Sequence, residues 1–355
     1  MGFSSTIPTA SSSAALPSGS WRHLQLSTTT RVFLLRPAPS PAKATPLLIP
    51  VPGETRGRPA AAAPFVGGQV RFGFSKVCSQ KMAGETAPAA GESFGAGEGK
   101  PELLVFGSEE ELSVSLAKYT AELSEKYAQQ RGAFSVVVSG GSLIKSLRKL
   151  LESPYVESID WKKWHVFWVD ERVVPKDHAD SNYKLAYDGF LSKVPIPPGQ
   201  VYAINDSLSA EGAADDYETC LKQLVKTSIL GFSSTTSFPR FDLMLLGMGP
   251  DGHVASLFPS HPLVHENSRW VTFIKDSPKP PPERITFTFP VINSSANIAL
   301  VATGSGKAGP VQRALGTGYN SSDLLPVQMV SLVDGKMTWF TDKEAASKLH
   351  GDALL

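Results

Sequence analysis

Short apolar runs alternate with segments of helical period along most of this chain, and that alternation restricts the fold more than any other feature. Leu103–Phe106, Phe134–Val138, Trp164–Val169, Phe241–Leu246, Trp270–Ile274, Ile285–Phe289 and Ile298–Ala302 each read as a short strand. Between them, Leu112, Leu116, Tyr119, Leu123 and Tyr127 recur at helical spacing. So do Leu143, Leu147, Leu150 and Leu151, and Tyr217, Cys220, Leu221 and Leu224 within a helix expected over 209–230. Ser108 followed by Glu111 has the spacing of a capping box at the head of the first helix. Strands separated by helices predict an α/β, Rossmann-like fold, a mainly parallel sheet with helices on both faces. The closing stretch Val327–Phe340, with Asp334-Gly335 at its middle, predicts a C-terminal hairpin.

In sheets of this kind a ligand sits beyond the carboxyl ends of the strands. Three chemically loaded turns fall there: Ser139–Ser142, Asp170–Arg172 and Gly247–His253. Ser139-Gly140-Gly141-Ser142 lies between a strand and a helix. Two glycines free the backbone N–H groups to point at an anion, and the helix start adds positive potential. The turn is a candidate phosphate cradle, with an ordinary strand-to-helix turn as the alternative. Asp170-Glu171-Arg172 places three charges where burial is partial. Arg172 is a candidate phosphate fork, Asp170 a candidate for orienting a base, and Glu171 is expected in a structural ion pair.

The segment Gly247-Met248-Gly249-Pro250-Asp251-Gly252-His253 is the most informative of the three. Its glycines, Gly247, Gly249 and Gly252, bring nearly bare backbone close to one imidazole. That arrangement suits a general base beside a small polar substrate, with the loop or Gly140 supplying amide donors for an oxyanion. His253 is the candidate base, and Asp251 competes with Asp170 to orient it. The spacing also satisfies G-x-G-x-x-G, but Pro250, Pro259 and Pro262 leave no room for the long helix that a dinucleotide fingerprint requires. Gly304-Ser305-Gly306-Lys307-Ala308 fails as a nucleotide P-loop, because Val301 and Ala308 replace the first glycine and the metal-binding hydroxyl. Lys307 remains a candidate anion contact. Ser277–Arg284, with three consecutive prolines, forms a stiff loop that carries Lys279 and Arg284 toward the mouth of a site, Arg284 being the stronger candidate for a phosphate.

No histidine has metal-ligand spacing with a second ligand pair, and the two cysteines, Cys78 and Cys220, make neither a disulfide framework nor a thiolate site. No metal and no organic cofactor is expected. Residues 1–84 hold nine Lys/Arg and a single acid, Glu54, among abundant Ser, Thr, Ala and Pro. That is the composition of an organelle transit peptide, of plastid type, over 1–82. Residues 83–101 read as a linker and 102–355 as the catalytic domain. Met82 stands where a second start would give a cytosolic form. The body, 85–355, carries a net charge of −7 (25 basic, 32 acidic), so no nucleic-acid partner is expected. No apolar run is long enough to span a membrane.

Taken together, Ser139–Ser142, Val169-Asp170-Glu171-Arg172-Val173-Val174 with Ser181-Asn182-Tyr183, Gly247–Pro259 and Ser277–Thr286 resemble the 6-phosphogluconolactonases, from about Leu103 to Phe340. The resemblance implies a fold shared with glucosamine-6-phosphate deaminases and hydrolysis of 6-phospho-D-glucono-1,5-lactone. It places the family's catalytic histidine at His253 and its phosphate contacts at Ser139–Ser142, Arg172 and Lys307. Val254 stands where the family often has Thr, and Leu143-Ile144 where it often has Thr-Pro. The expected partner is a phosphosugar lactone and the expected state a monomer. The rival activities are a deaminase/isomerase acting on glucosamine 6-phosphate and a non-catalytic sugar-phosphate binder.

Overall fold

In the computed structural model, which describes residues 92–94, 101–316 and 324–349, the apolar runs become the strands of a central sheet. The transit segment expected over 1–82 lies outside the described residues. In chain order the elements are β1 (Glu92–Phe94), β2 (Glu102–Phe106), α1 (Glu109–Arg131), β3 (Phe134–Val138), α2 (Leu143–Ser146), α3 (Tyr155–Ser158), β4 (Trp164–Trp168), β5 (Asp170–Arg172), α4 (Asn182–Gly189) and α5 (Ala210–Lys226). Then come β6 (Gly231–Phe232), β7 (Pro239–Arg240), β8 (Leu243–Gly247), β9 (Val271–Ile274), β10 (Arg284–Phe287), α6 (Phe289–Asn293), β11 (Asn297–Ala302), α7 (Ala308–Leu315) and β12 (Lys336–Asp342).

The central sheet runs β1-β2-β12-β11-β8-β3-β4. β1 pairs antiparallel with β2 at one edge, inside the stretch expected as a linker, and every other pairing is parallel. The period-2 geometry of a strand sorts its side chains between two cores. Leu243 and Leu245 of β8 join the cluster built on α1, α2 and Trp164, while Met244 and Leu246 join the one containing Tyr217, Leu221 and Leu224 of α5. Each fully buried leucine of this kind contributes about 1.5–3 kcal/mol, so β8 is held from both sides.

Local signals set the helix ends. Ser108 Oγ accepts the Glu111 N–H, and Gly132, at φ +73°, closes α1. The Glu111 carboxylate accepts the Gly107 N–H at 2.8 Å, one residue before the donor that a full capping box would use. The helix expected after Ser142 is a single α-turn that continues as a 3₁₀ segment, Leu147–Leu151. The helix expected over 209–230 stops at Lys226.

Two expectations about strands are corrected. No C-terminal hairpin forms. Pro326–Met329 is a 3₁₀ turn, and β12 lies parallel between β2 and β11. Gly335 passes so close to the Ser295 and Ala296 carbonyls that a Cβ would stand 2.5 and 2.8 Å from them. The Asp334-Gly335 bend therefore feeds β12 into the sheet instead of reversing the chain. Nor do β9 and β10 extend the main sheet. With β5 they make a separate antiparallel sheet, order β5-β10-β9, in which Arg284 stands opposite Arg172 and Thr286 opposite Asp170.

The strand order reverses direction between β3 and β8. The chain leaves β3 toward β4 on one side and leaves β8 toward β11 on the other. The loops that follow these neighbouring strands diverge, and a crevice opens beyond their carboxyl ends.

Candidate active site

Two glycine-bearing turns form the walls of that crevice. Ser139 Oγ accepts the Gly247 N–H at 3.1 Å, so the turn after β3 and the loop after β8 are tied together where they start. Gly141 takes the left-handed conformation at φ +71°. Among the described residues, no backbone acceptor is found for the N–H groups of Gly140, Gly141 and Ser142, which is the condition an anion cradle needs. The contribution of the helix dipole is small, because α2 is one turn long. Gly140 has a packing reason as well: a Cβ would stand 1.9 Å from Asn182 Oδ1.

The β8 loop folds back on itself. Gly249 N–H donates to the His253 carbonyl at 2.8 Å, and Gly252 N–H to the Gly249 carbonyl at 3.0 Å. The imidazole then lies against bare backbone at Gly249. Asp251 Oδ1 is 2.5 Å from His253 Nδ1, closer than the competing donor Lys279 Nζ at 3.1 Å, so the carboxylate favours the proton on Nδ1 and leaves Nε2 as the basic nitrogen. The Phe258 ring packs on the imidazole with centroids 4.7 Å apart. Burial pushes the imidazole below its ordinary value. Asp251 opposes that effect and the charge of Lys279 adds to it. The ring is therefore neutral near pH 7. Burial raises the Asp251 carboxylate, but His253 and Lys279 outweigh it and bring the carboxyl down to about 2. From behind, Gly252 at φ +81° offers its carbonyl to the Val327 N–H at 3.0 Å. The segment expected to be a hairpin strand thus props the histidine loop.

A cleft of about 230 Å³ lies over these turns. It brings together Ser139, Gly140, Gly141, Ser142, Asp170, Arg172, Gly247, Gly249, His253, Arg284 and Lys307, while Asp251 and Gly252 stand behind the imidazole. Of the two acids competing for His253, Asp251 holds the ring. Asp170 is buried and its Oδ2 accepts from Ser256 Oγ at 2.7 Å. The amide donors expected from the glycine loop are occupied: Gly247 N–H is spent on Ser139, Gly249 N–H on His253 and Gly252 N–H on Gly249.

Cationic groups flank the base on both sides. Arg172 Nη1 donates to the Asp180 carbonyl at 2.6 Å, and its buried Nε has no partner among the described residues. Lys307 follows β11, on the other side of β8, and burial first and then Lys279 push its ammonium below the ordinary range. Arg284 is only 3 % exposed. It donates to the carbonyls of Pro281 (3.0 Å), Lys279 (2.8 Å) and Pro280 (3.1 Å), and weakly to Ser256 Oγ (3.4 Å). One Nη1 hydrogen is left for the cleft. The residue that the proline loop delivers to the base is Lys279, whose Nζ lies 3.0 Å from Asp251 Oδ2.

Two contributors were not legible as site residues. Asn182 lines the cleft and donates to the Asp170 carbonyl at 3.0 Å. Glu171 is no ion-pair partner of Arg172. Its carboxylate accepts the N–H groups of Asn182 (2.7 Å), Tyr183 (2.7 Å) and Arg172 (2.8 Å), and so caps α4. The acidic residue and the Ser-Asn-Tyr that follows it are the only traces of this in the sequence.

The family model for glucosamine-6-phosphate isomerases/6-phosphogluconolactonase matches residues 107–339. The chain belongs to this family. It is 75% identical over 249 residues to a probable 6-phosphogluconolactonase 4, chloroplastic, from Oryza sativa subsp. indica, covering 70% of this chain and 77% of that protein. With 6-phosphogluconolactonase 3, chloroplastic, of Arabidopsis thaliana the identity is 67% over 252 residues, covering 71% and 76%. Among solved structures, 6-phosphogluconolactonase from Trypanosoma cruzi superposes with a TM-score of 0.62 at 28% identity, covering 73% of this chain and 98% of that one. As a member of the family, the chain keeps the α/β architecture expected of it. Among the described residues no helix is long and apolar enough to cross a membrane.

Proposed function

We propose that this chain hydrolyses 6-phospho-D-glucono-1,5-lactone to 6-phospho-D-gluconate, with His253 as the general base. The observation that carries the reading is the pairing of a neutral, Asp251-held imidazole with an unspent amide turn and cations in one cleft. The relatives named as 6-phosphogluconolactonases support the substrate. The turn amides at Gly141 and Ser142, with Arg172 and Lys307, hold the phosphate, and Arg284 adds its one free hydrogen. Binding energy from this remote group fixes the lactone carbonyl beside His253. Nε2 takes a proton from water, and the oxygen of that water attacks C1. The oxyanion that forms meets the Gly140 amide, since the three glycine amides of the His253 loop are taken. The imidazolium then returns the proton to the ring oxygen as the C1–O bond breaks.

His253→Asn removes the base while leaving the cradle intact. Turnover of freshly made lactone, corrected for spontaneous opening, should fall by about 10²–10⁴-fold, while binding of 6-phosphogluconate is retained. Unchanged turnover would overturn the assignment. Release of ammonia from glucosamine 6-phosphate would point instead to a deaminase.

The Ser/Thr/Ala/Pro-rich, acid-poor lead and the relatives named as chloroplastic support a plastid location. A monomer is the state proposed for the enzyme. Light scattering on the eluting protein tests that state.

A further inference from the structure

Lys279 lies outside the roles just assigned, yet its ammonium reaches both the imidazole of His253 and the carboxylate of Asp251. Its Nζ is 3.0 Å from Asp251 Oδ2 and 3.1 Å from His253 Nδ1. The loop that carries it is fixed from several directions. Ser277 N–H donates to the Pro282 carbonyl at 3.1 Å, Ser277 Oγ donates to the Lys279 carbonyl at 2.8 Å, and the buried Arg284 guanidinium clamps the carbonyls of 279, 280 and 281. Four prolines in the same stretch, Pro278 and Pro280 to Pro282, restrict the backbone further. A lysine on a flexible loop would sample many rotamers, whereas this one is delivered to a set place.

We propose that Lys279 is a positioning residue for the Asp251–His253 pair: its ammonium grips the outer oxygen of Asp251 and holds the carboxylate on the Nδ1 side of the ring. This inference rests on the reading of His253 as the base. Asp251 has two oxygens and, with Oδ1 on the imidazole, only Lys279 holds Oδ2 among the described residues. Without that second hold the carboxylate is free to rotate away, and the ring loses its preferred tautomer. The same ammonium opposes a second positive charge on the imidazole. The resting base stays neutral, and the imidazolium formed during attack is a stronger acid toward the departing ring oxygen. The charged groups acting on His253 are Asp251, Lys279 and, at longer range, Asp170. Lys307 acts on Lys279 and Asp251, and the remaining face of the ring is covered by Phe258.

The test uses the full chain with Lys279→Met and Lys279→Arg. The His253 ring protons are followed by NMR across pH, with His253→Asn to assign them, alongside kcat and KM over the same range. In Lys279→Met the imidazole should titrate at higher pH than in the parent. The value of kcat should fall about tenfold at every pH, as expected for loss of one partly exposed charge-assisted contact that holds the carboxylate, and further at mildly acidic pH where the imidazole is protonated, with KM little changed. Lys279→Arg should restore both the titration and the rate. An unmoved titration, or a kcat equal to the parent's at every pH, would overturn the proposal. If His253→Asn itself keeps full turnover, the general-base reading fails, while the NMR titration still reports whether Lys279 is coupled to the ring.

Discussion

Gly249 lies directly beneath the imidazole of His253: a Cβ at this position would stand 2.0 Å from Nδ1, 2.1 Å from Cε1 and 2.5 Å from Asp251 Oδ1. The base and its orienting acid both occupy space that only glycine leaves open. Gly249→Ala should therefore displace the ring by about an ångström and lower kcat/KM by about 10²-fold. The melting temperature should fall as well, because Gly249 is buried and the displaced ring must find room among its neighbours. Steady-state kinetics and a thermal melt of the same preparation check both halves.

Asp251→Asn should act on the pH profile in the opposite sense to Lys279→Met. The Asp251 carboxylate raises the His253 pKa and burial lowers it. With the carboxylate gone, burial acts unopposed, and the acid limb of kcat/KM should move to still lower pH. The plateau should fall about 10–100-fold, as when a ring loses the carboxylate that fixes its tautomer. A limb that moves upward would contradict the assigned arrangement.

Gly140→Ala forces a Cβ to within 1.9 Å of Asn182 Oδ1. Asn182 must swing off the Asp170 carbonyl, and the cradle amides shift with the backbone. KM for the lactone and the inhibition constant of inorganic phosphate should each rise about tenfold, the scale of one charge-assisted hydrogen bond, and kcat should fall as well, because the Gly140 amide that meets the oxyanion moves too. Adding Asn182→Ala to Gly140→Ala removes the clash and should return part of the phosphate affinity.

Glu171 governs stability more than chemistry. Burial raises its carboxyl to about 7, even though three backbone N–H groups favour the charged form. The folded chain therefore binds this proton more tightly than the unfolded chain, whose value is near 4.5. The stabilisation is full below the unfolded value and is lost as pH rises through about 7. Glu171→Gln cannot accept at both oxygens, so one cap donor is left unmet, and unfolding free energy should drop by about 1–3 kcal/mol. Urea unfolding at several pH values should also show a flatter pH dependence in the variant across the window from 4.5 to 7.

The site was legible where its residues are close in sequence or where glycine betrays a backbone constraint. Gly140-Gly141 and the Gly249–His253 loop are of this kind, since an amide turn and an imidazole over bare backbone both leave a mark in composition. Asn182 left none. It reaches the cleft because Glu171 caps α4 through contacts 11 and 12 residues away, and no periodicity carries that information. The approach of Lys279 to Asp251 was hidden for a similar reason: the antiparallel pairing of β10 with β5 buries Arg284 opposite Arg172, and its guanidinium holds the carbonyls of 279, 280 and 281. Only then does the ammonium of Lys279 reach Asp251.

The sequence by itself determined the α/β class, the succession of strands through β8 and β11, the placing of the Ser139–Ser142 turn and of His253 at strand ends, and the family. These follow from local periodicity, turn chemistry and short motifs, which act over a few residues. Tertiary structure alone decided that β12 enters between two parallel strands, that β5, β9 and β10 form their own sheet, and which acid and which cation attend His253. Those outcomes depend on pairings between segments far apart in the chain, where the competing partners are all apolar runs or all charges, and only simultaneous burial and hydrogen-bond satisfaction select among them.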